Sequence, residues 1–150
     1  MADEILYEVR DRIAIVTINR PHRRNALSWS ALALFRETMR RATEDDQVLA
    51  VVITGAGGAF CAGTDLVDLT QTKSDQRGGS DTGNNWMVQS CPKPVVAAID
   101  GPAVGLGAEI ATQADVRIAS DRMRIAWNFV KRGLVPDTRA ASYLLPRQSV

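Results

Sequence analysis

Cysteine and histidine are nearly missing from this chain, with two of the first and one of the second among 150 residues. Cys61 and Cys91 are too few for a disulfide framework, which reads as a reducing, cytoplasmic setting. With one histidine and two distant cysteines there is no credible zinc cluster, so no metal is expected. That histidine, His22, lies in a polar turn after Pro21, and any Ser-His-Asp triad would have to depend on it. An excess of charge is also absent: 18 Lys and Arg stand against 17 Asp and Glu, a net charge of +1. Such a balance gives no overall field to attract nucleic acid or an anionic membrane. Trp29, Trp86 and Trp127 show no spacing with basic residues that suggests base stacking. No stretch approaches the roughly 20 apolar residues of a membrane span, and no cationic-then-apolar leader opens the sequence. The expectation is a soluble cytoplasmic protein with neither nucleic-acid nor membrane partners.

What is present is 45% hydrophobic and 23% charged, the makeup of one globular domain over residues 1–150. At this size about two-thirds of the unfolded surface can leave water, so packing alone can hold the fold. Ile13 to Asn19 reads as a buried strand, with Ile5 to Glu8 as its partner. Leu32, Phe35, Met39 and Ala42 recur at spacings of three and four opposite Arg36, Glu37, Arg40 and Arg41. This predicts an amphipathic helix capped by Ser28 or Ser30. Val48 to Thr54, Val95 to Ile99 and Val116 to Ala119 read as further strands, Leu106 to Ala114 as a helix, and Ala140 to Leu145 as the start of another. Gln71 to Asn85 carries almost no apolar side chain and predicts a mobile loop. Strands alternating with helices imply an α/β architecture with parallel or mixed pairing.

Two segments carry the chemistry. In Gly55 to Leu66, GAGGAFCAGTDL, a strand runs through small residues into a helix expected near Asp65. In Asp100 to Glu109, DGPAVGLGAE, a strand again meets a glycine turn and a helix N-terminus. Small side chains leave amide groups reachable, and helix N-termini favour negative charge. Two such amide sources facing one pocket form an oxyanion hole. Neither segment completes GxGxxG, and neither holds the Gly-Lys-Ser/Thr of a P-loop, so dinucleotide and nucleotide sites are rejected.

NRPHRRNALS, AVVITGAGGAFCAGTDL, KPVVAAIDGPAVGLGAEIATQADVRIAS and KRGLVPD together resemble, in order and spacing, the signature blocks of the crotonase (enoyl-CoA hydratase/isomerase) family. The resemblance covers about Ile5 to Arg147. It implies a spiral of β-β-α repeats, an acyl-CoA thioester as ligand with coenzyme A as part of the substrate and no other cofactor, and a homotrimer or dimer of trimers. It further implies that the chain stops short of the C-terminal helices that complete the acyl pocket in relatives. The matching oxyanion donors are the backbone N–H groups of Ala62 and Leu106; position 106 is usually glycine, and leucine adds bulk over the pocket. Arg24, Ala26, Ala62, Asp65 and Leu66 match the coenzyme A site, where Arg23 and Arg24 supply local positive charge.

Of the two glutamates of family hydratases, Glu109 matches the first, whereas the second falls on Phe129, which cannot carry a proton. Asp137 stands where some family isomerases have an acid. Moving a double bond needs a base for one proton and an acid to return it elsewhere, with the enolate between. Glu109 and Asp137 are the candidates, in an acyl pocket containing Trp127 and Phe129 that should raise their pKa values. Plainer roles stand beside these. Glu109 also suits a helix first turn, Asp137 also suits an N-cap, Asp65 and Asp115 suit caps or turns, Asp100 suits a turn, and Cys61 suits a small buried thiol. Three readings follow: an enoyl-CoA isomerase, an enoyl-CoA hydratase, and a non-catalytic acyl-CoA-binding remnant.

Overall fold

A computed structural model describes residues 3–71 and 88–134. The chain opens with a hairpin of β1 (Ile5–Arg10) and β2 (Ile13–Ile18), turned at Asp11 and Arg12, both with positive φ. Helix α1 (Trp29–Glu44) follows, then β3 (Ala50–Gly55), α2 (Leu66–Gln71), β4 (Val95–Ile99), β5 (Pro102–Val104), α3 (Leu106–Gln113), β6 (Val116–Ala119) and β7 (Arg124–Ala126). A mixed five-stranded sheet runs in the order β1-β2-β3-β4-β6, antiparallel only between β1 and β2.

Each pass of the chain leaves this sheet and adds to a second, smaller ladder. β5 pairs in parallel with β7, Cys61 bridges Ala103, and Leu27 bridges Thr64. The result is the expected spiral of strand-strand-helix units. The two three-residue strands were not legible beforehand, because three residues are too few to show a period of two.

Burial explains why the units stack. Alternate residues Ala14, Val16, Ile18, Val51, Ile53, Val95, Ala97 and Ile99 are buried on one sheet face. Against that face α1 sets Leu32, Phe35, Met39 and Ala42, the stripe predicted from spacing, and all join one core. Ser28 caps α1, accepting the Ala31 N–H at 3.1 Å. Val48 is buried just before β3 although it lies outside the strand, so the continuous apolar run hid the boundary. β6 forms as expected but at the sheet edge, with Val116 and Ile118 exposed. The loop expected over 71–85 falls outside the described residues save Gln71, the last residue of α2, and the helix expected over 140–145 lies outside them altogether.

Candidate functional site

The two glycine-bearing segments meet, and the contact is made backbone to backbone. The N–H groups of Phe60 and Cys61 both donate to the Pro102 carbonyl at 3.0 and 3.1 Å, and the Val104 N–H donates to the Cys61 carbonyl at 2.8 Å. Gly107 lies against Cys61 so closely that an added Cβ would stand 2.1 Å from the Cys61 oxygen. Gly63, at φ +96°, leaves space that a Cβ would fill at 2.8 Å from the Val104 oxygen and 3.5 Å from the Leu106 nitrogen. The missing side chains at 63 and 107 therefore bring the stretch around Ala62 onto the first turn of α3.

A cavity of about 600 Å³ opens at this junction, within the range of small-molecule sites. Ala26, Ala62, Leu66, Val104, Leu106 and Phe129 give it a largely apolar wall. Arg23, Lys131 and Arg132 also line it, so its local charge is positive although the chain is nearly neutral. The last two lie on the 3-10 turn Asn128–Arg132, closed by Gly133 in a left-handed conformation. KRGLVPD had pointed to the family without assigning either cation a role.

The donors expected at 62 and 106 differ in state. Leu106 opens α3, where first-turn amides have no acceptor within the helix and the dipole is positive. The Ala62 N–H is donated to the Arg24 carbonyl at 3.0 Å, so a ligand oxygen has to share or displace that bond. Of the candidates for coenzyme A, Ala26, Ala62, Asp65 and Leu66 line the cavity, whereas Arg24 does not and Arg23 does. Arg24 contributes its carbonyl instead. Phe129 lines the cavity with its ring by Gly105, but Trp127 stands outside it. Glu109 is buried, one turn along α3 from Leu106, and is not among the residues that line the cavity. Asp137 lies outside the described residues.

Asp65 plays the cap role anticipated for it and a second one besides. Its Oδ1 accepts the Val67 N–H at 3.1 Å at the start of α2, and its Oδ2 meets Arg20 Nη1 at 3.1 Å. Burial raises its pKa, but the Val67 amide and the Arg20 guanidinium together outweigh burial and hold it below the usual carboxylate value. Arg20 also pairs with Glu4 at 2.7 Å and donates to the Ala26 carbonyl. The Cys61 thiol is buried and pushed up to about 12, burial outweighing the Gly63 N–H that its sulfur accepts. It is neutral at physiological pH, as a packing residue is and a nucleophile is not. Asp100 accepts from Ser120 at 2.7 Å and from Arg122, and Asp115 accepts the Val95 N–H at 2.8 Å. Among the described residues no group of three His, Cys, Asp or Glu can hold a metal ion, and no helix is long and apolar enough to cross a membrane.

Relatives of this chain share both its sequence and its spiral. It is 40% identical over 148 residues to the Mycobacterium tuberculosis protein named "Probable enoyl-CoA hydratase EchA14", covering 97% of this chain and 57% of that one. To the 1,2-epoxyphenylacetyl-CoA isomerase of Escherichia coli it is 35% identical over 154 residues, covering 98% of this chain and 58% of the relative. The solved enoyl-CoA hydratase of Mycobacterium tuberculosis superposes with a TM-score of 0.79 at 36% identity, over 95% of this chain and 59% of that one. That of Mycobacterium avium subsp. paratuberculosis gives 0.83 at 30%, over 96% and 58%. The chain thus spans somewhat more than half the length of the relatives it matches. Its residues 8–148 match the enoyl-CoA hydratase/isomerase family model, and with that match, the glycine junction and the spiral, the chain belongs to the crotonase family.

Proposed function

We propose that the cavity binds an acyl-CoA thioester, with the acyl end at Leu106 and Phe129 and the coenzyme A phosphates toward Arg23, Lys131 and Arg132. The observation that carries this reading is the junction itself, where Ala62 and the N-terminus of α3 line one apolar cavity rimmed by cations. Amides fixed there stabilise charge that develops on a carbonyl oxygen, each worth on the order of 10²–10³ in rate, and no solvent has to reorganise. The reaction that suits this site best is migration of a double bond in an enoyl-CoA through an enolate. Glu109 and Asp137 carry the proton between carbons, and the homotrimer of the family resemblance is part of the same proposal. Phe129 supports isomerisation over hydration, since a ring excludes water where a carboxylate would activate it.

Two other readings each have an observation in their favour. Hydration is favoured by the names of the relatives, most of them hydratases. Binding without turnover is favoured by the absence of Glu109 from the residues lining the cavity and by the Ala62 bond to Arg24. Glu109→Gln separates them. Loss of enoyl-CoA turnover with thioester binding retained supports proton transfer by Glu109, and unchanged turnover removes that assignment. Formation of a 3-hydroxyacyl product by the unaltered chain would replace isomerisation by hydration.

A further inference from the structure

Asn25 is fully buried, has a left-handed backbone at φ +58°, and follows Arg24 at φ +51°. The other such non-glycine pair among the described residues, Asp11 and Arg12, closes a tight hairpin; outside a hairpin turn the conformation is uncommon and has to be enforced by its surroundings. Those bonds come from Asn25 itself. Its Oδ1 accepts the Arg20 N–H at 2.9 Å, and its own N–H donates to the Arg20 carbonyl at 2.9 Å, closing the 20–25 loop on itself. Its Nδ2 donates to the carbonyls of Ala56 at 2.7 Å and Ala59 at 2.6 Å, fastening that loop to the glycine segment after β3. One residue before Asn25, the Arg24 carbonyl receives the Ala62 N–H.

We infer that Asn25 is a positioning residue for the oxyanion site: by clamping the 20–25 loop to Ala56 and Ala59, it sets the direction of the Ala62 N–H and the ease with which a thioester oxygen takes that donor from the Arg24 carbonyl. The inference rests on the thioester reading above, but its geometric part does not require a ligand. A carboxylate at 25 keeps the acceptor for Arg20 and loses both donors, whereas glycine keeps the left-handed backbone and loses the whole side chain.

Amide hydrogen exchange of Asn25→Gly and Asn25→Asp without ligand, followed by the infrared carbonyl band of a bound acyl-CoA labelled at the thioester carbon, tests it. In both variants Ala62 should exchange at least tenfold faster relative to Ile53 of the core than in the unaltered chain, and the bound carbonyl band should shift back toward its position in water. A merely structural role accelerates Ala62 and Ile53 alike and leaves the band of the bound thioester in place; that result overturns the inference. If the unaltered chain binds no acyl-CoA, the thioester reading fails by itself, and the Ala62 to Ile53 ratio still decides whether Asn25 positions the donor.

Discussion

Single side chains decide whether the two amide-bearing segments can touch. A methyl group at Gly107 would meet the Cys61 carbonyl, so Gly107→Ala should cost about 1–3 kcal/mol in urea unfolding, as overpacking does; an unchanged midpoint would mean that the contact is loose. Leu106 is the opposite case, a bulky side chain that lines the cavity at the residue that opens α3. Leu106→Ala should enlarge the cavity and raise turnover of branched acyl chains relative to linear ones by roughly tenfold, a change worth about 1.4 kcal/mol, and equal ratios would place the acyl group elsewhere. The neutral, buried Cys61 thiol should resist a thiol reagent until the chain unfolds, while half-buried Cys91 reacts first. At this scale the sequence showed Cys61 as packing and Asp65 as a cap, because both roles follow from residue type and local spacing. It hid Asn25, whose partners lie 5 to 34 residues away and share no pattern with it.

Elements were legible where a period of two or 3.6 runs long enough. The buried stripe of α1 was visible, and so were the strands rich in Val and Ile. β5 and β7 were not, and they carry the ladder that brings α3 to Cys61. The same lesson holds for the 3-10 turn that presents Lys131 and Arg132, since a five-residue turn has no periodic signature. Helix α2 is held at its start by Asp65, which also ties it to Arg20. The folded state keeps Asp65 ionised at lower pH than the unfolded chain does. Its contribution is therefore complete above the ordinary carboxylate value and is lost as pH falls through the depressed folded value. Asp65→Asn should cost about 1.5–3 kcal/mol at neutral pH, the range for bonds to charged partners, and should flatten the acid limb of a stability profile. An acid limb of unchanged slope would show that Asp65 titrates alike in both states. Ser28→Ala should cost about 1 kcal/mol through loss of the α1 cap, checked by the same denaturant midpoint.

For the molecule as a whole, the fold and the family were readable from four ordered blocks, and the spiral bears them out. The site was readable in part. The glycines that allow the junction and Arg23 at the cavity stand in those blocks as read, but the placing of Lys131 and Arg132 at the cavity and the bond that occupies the Ala62 amide depend on where the spiral brings distant loops. A nearly neutral chain with a cationic cavity fits a ligand whose charge sits at one end and whose reacting part is apolar. The function proposed for this cavity is stabilisation of a thioester enolate. NMR of a 3-enoyl-CoA mixed with the folded chain in deuterated water reads that step: the double bond should migrate to the 2-position with deuterium entering the acyl chain, and an unmoved double bond without deuterium uptake would rule out enolate formation here.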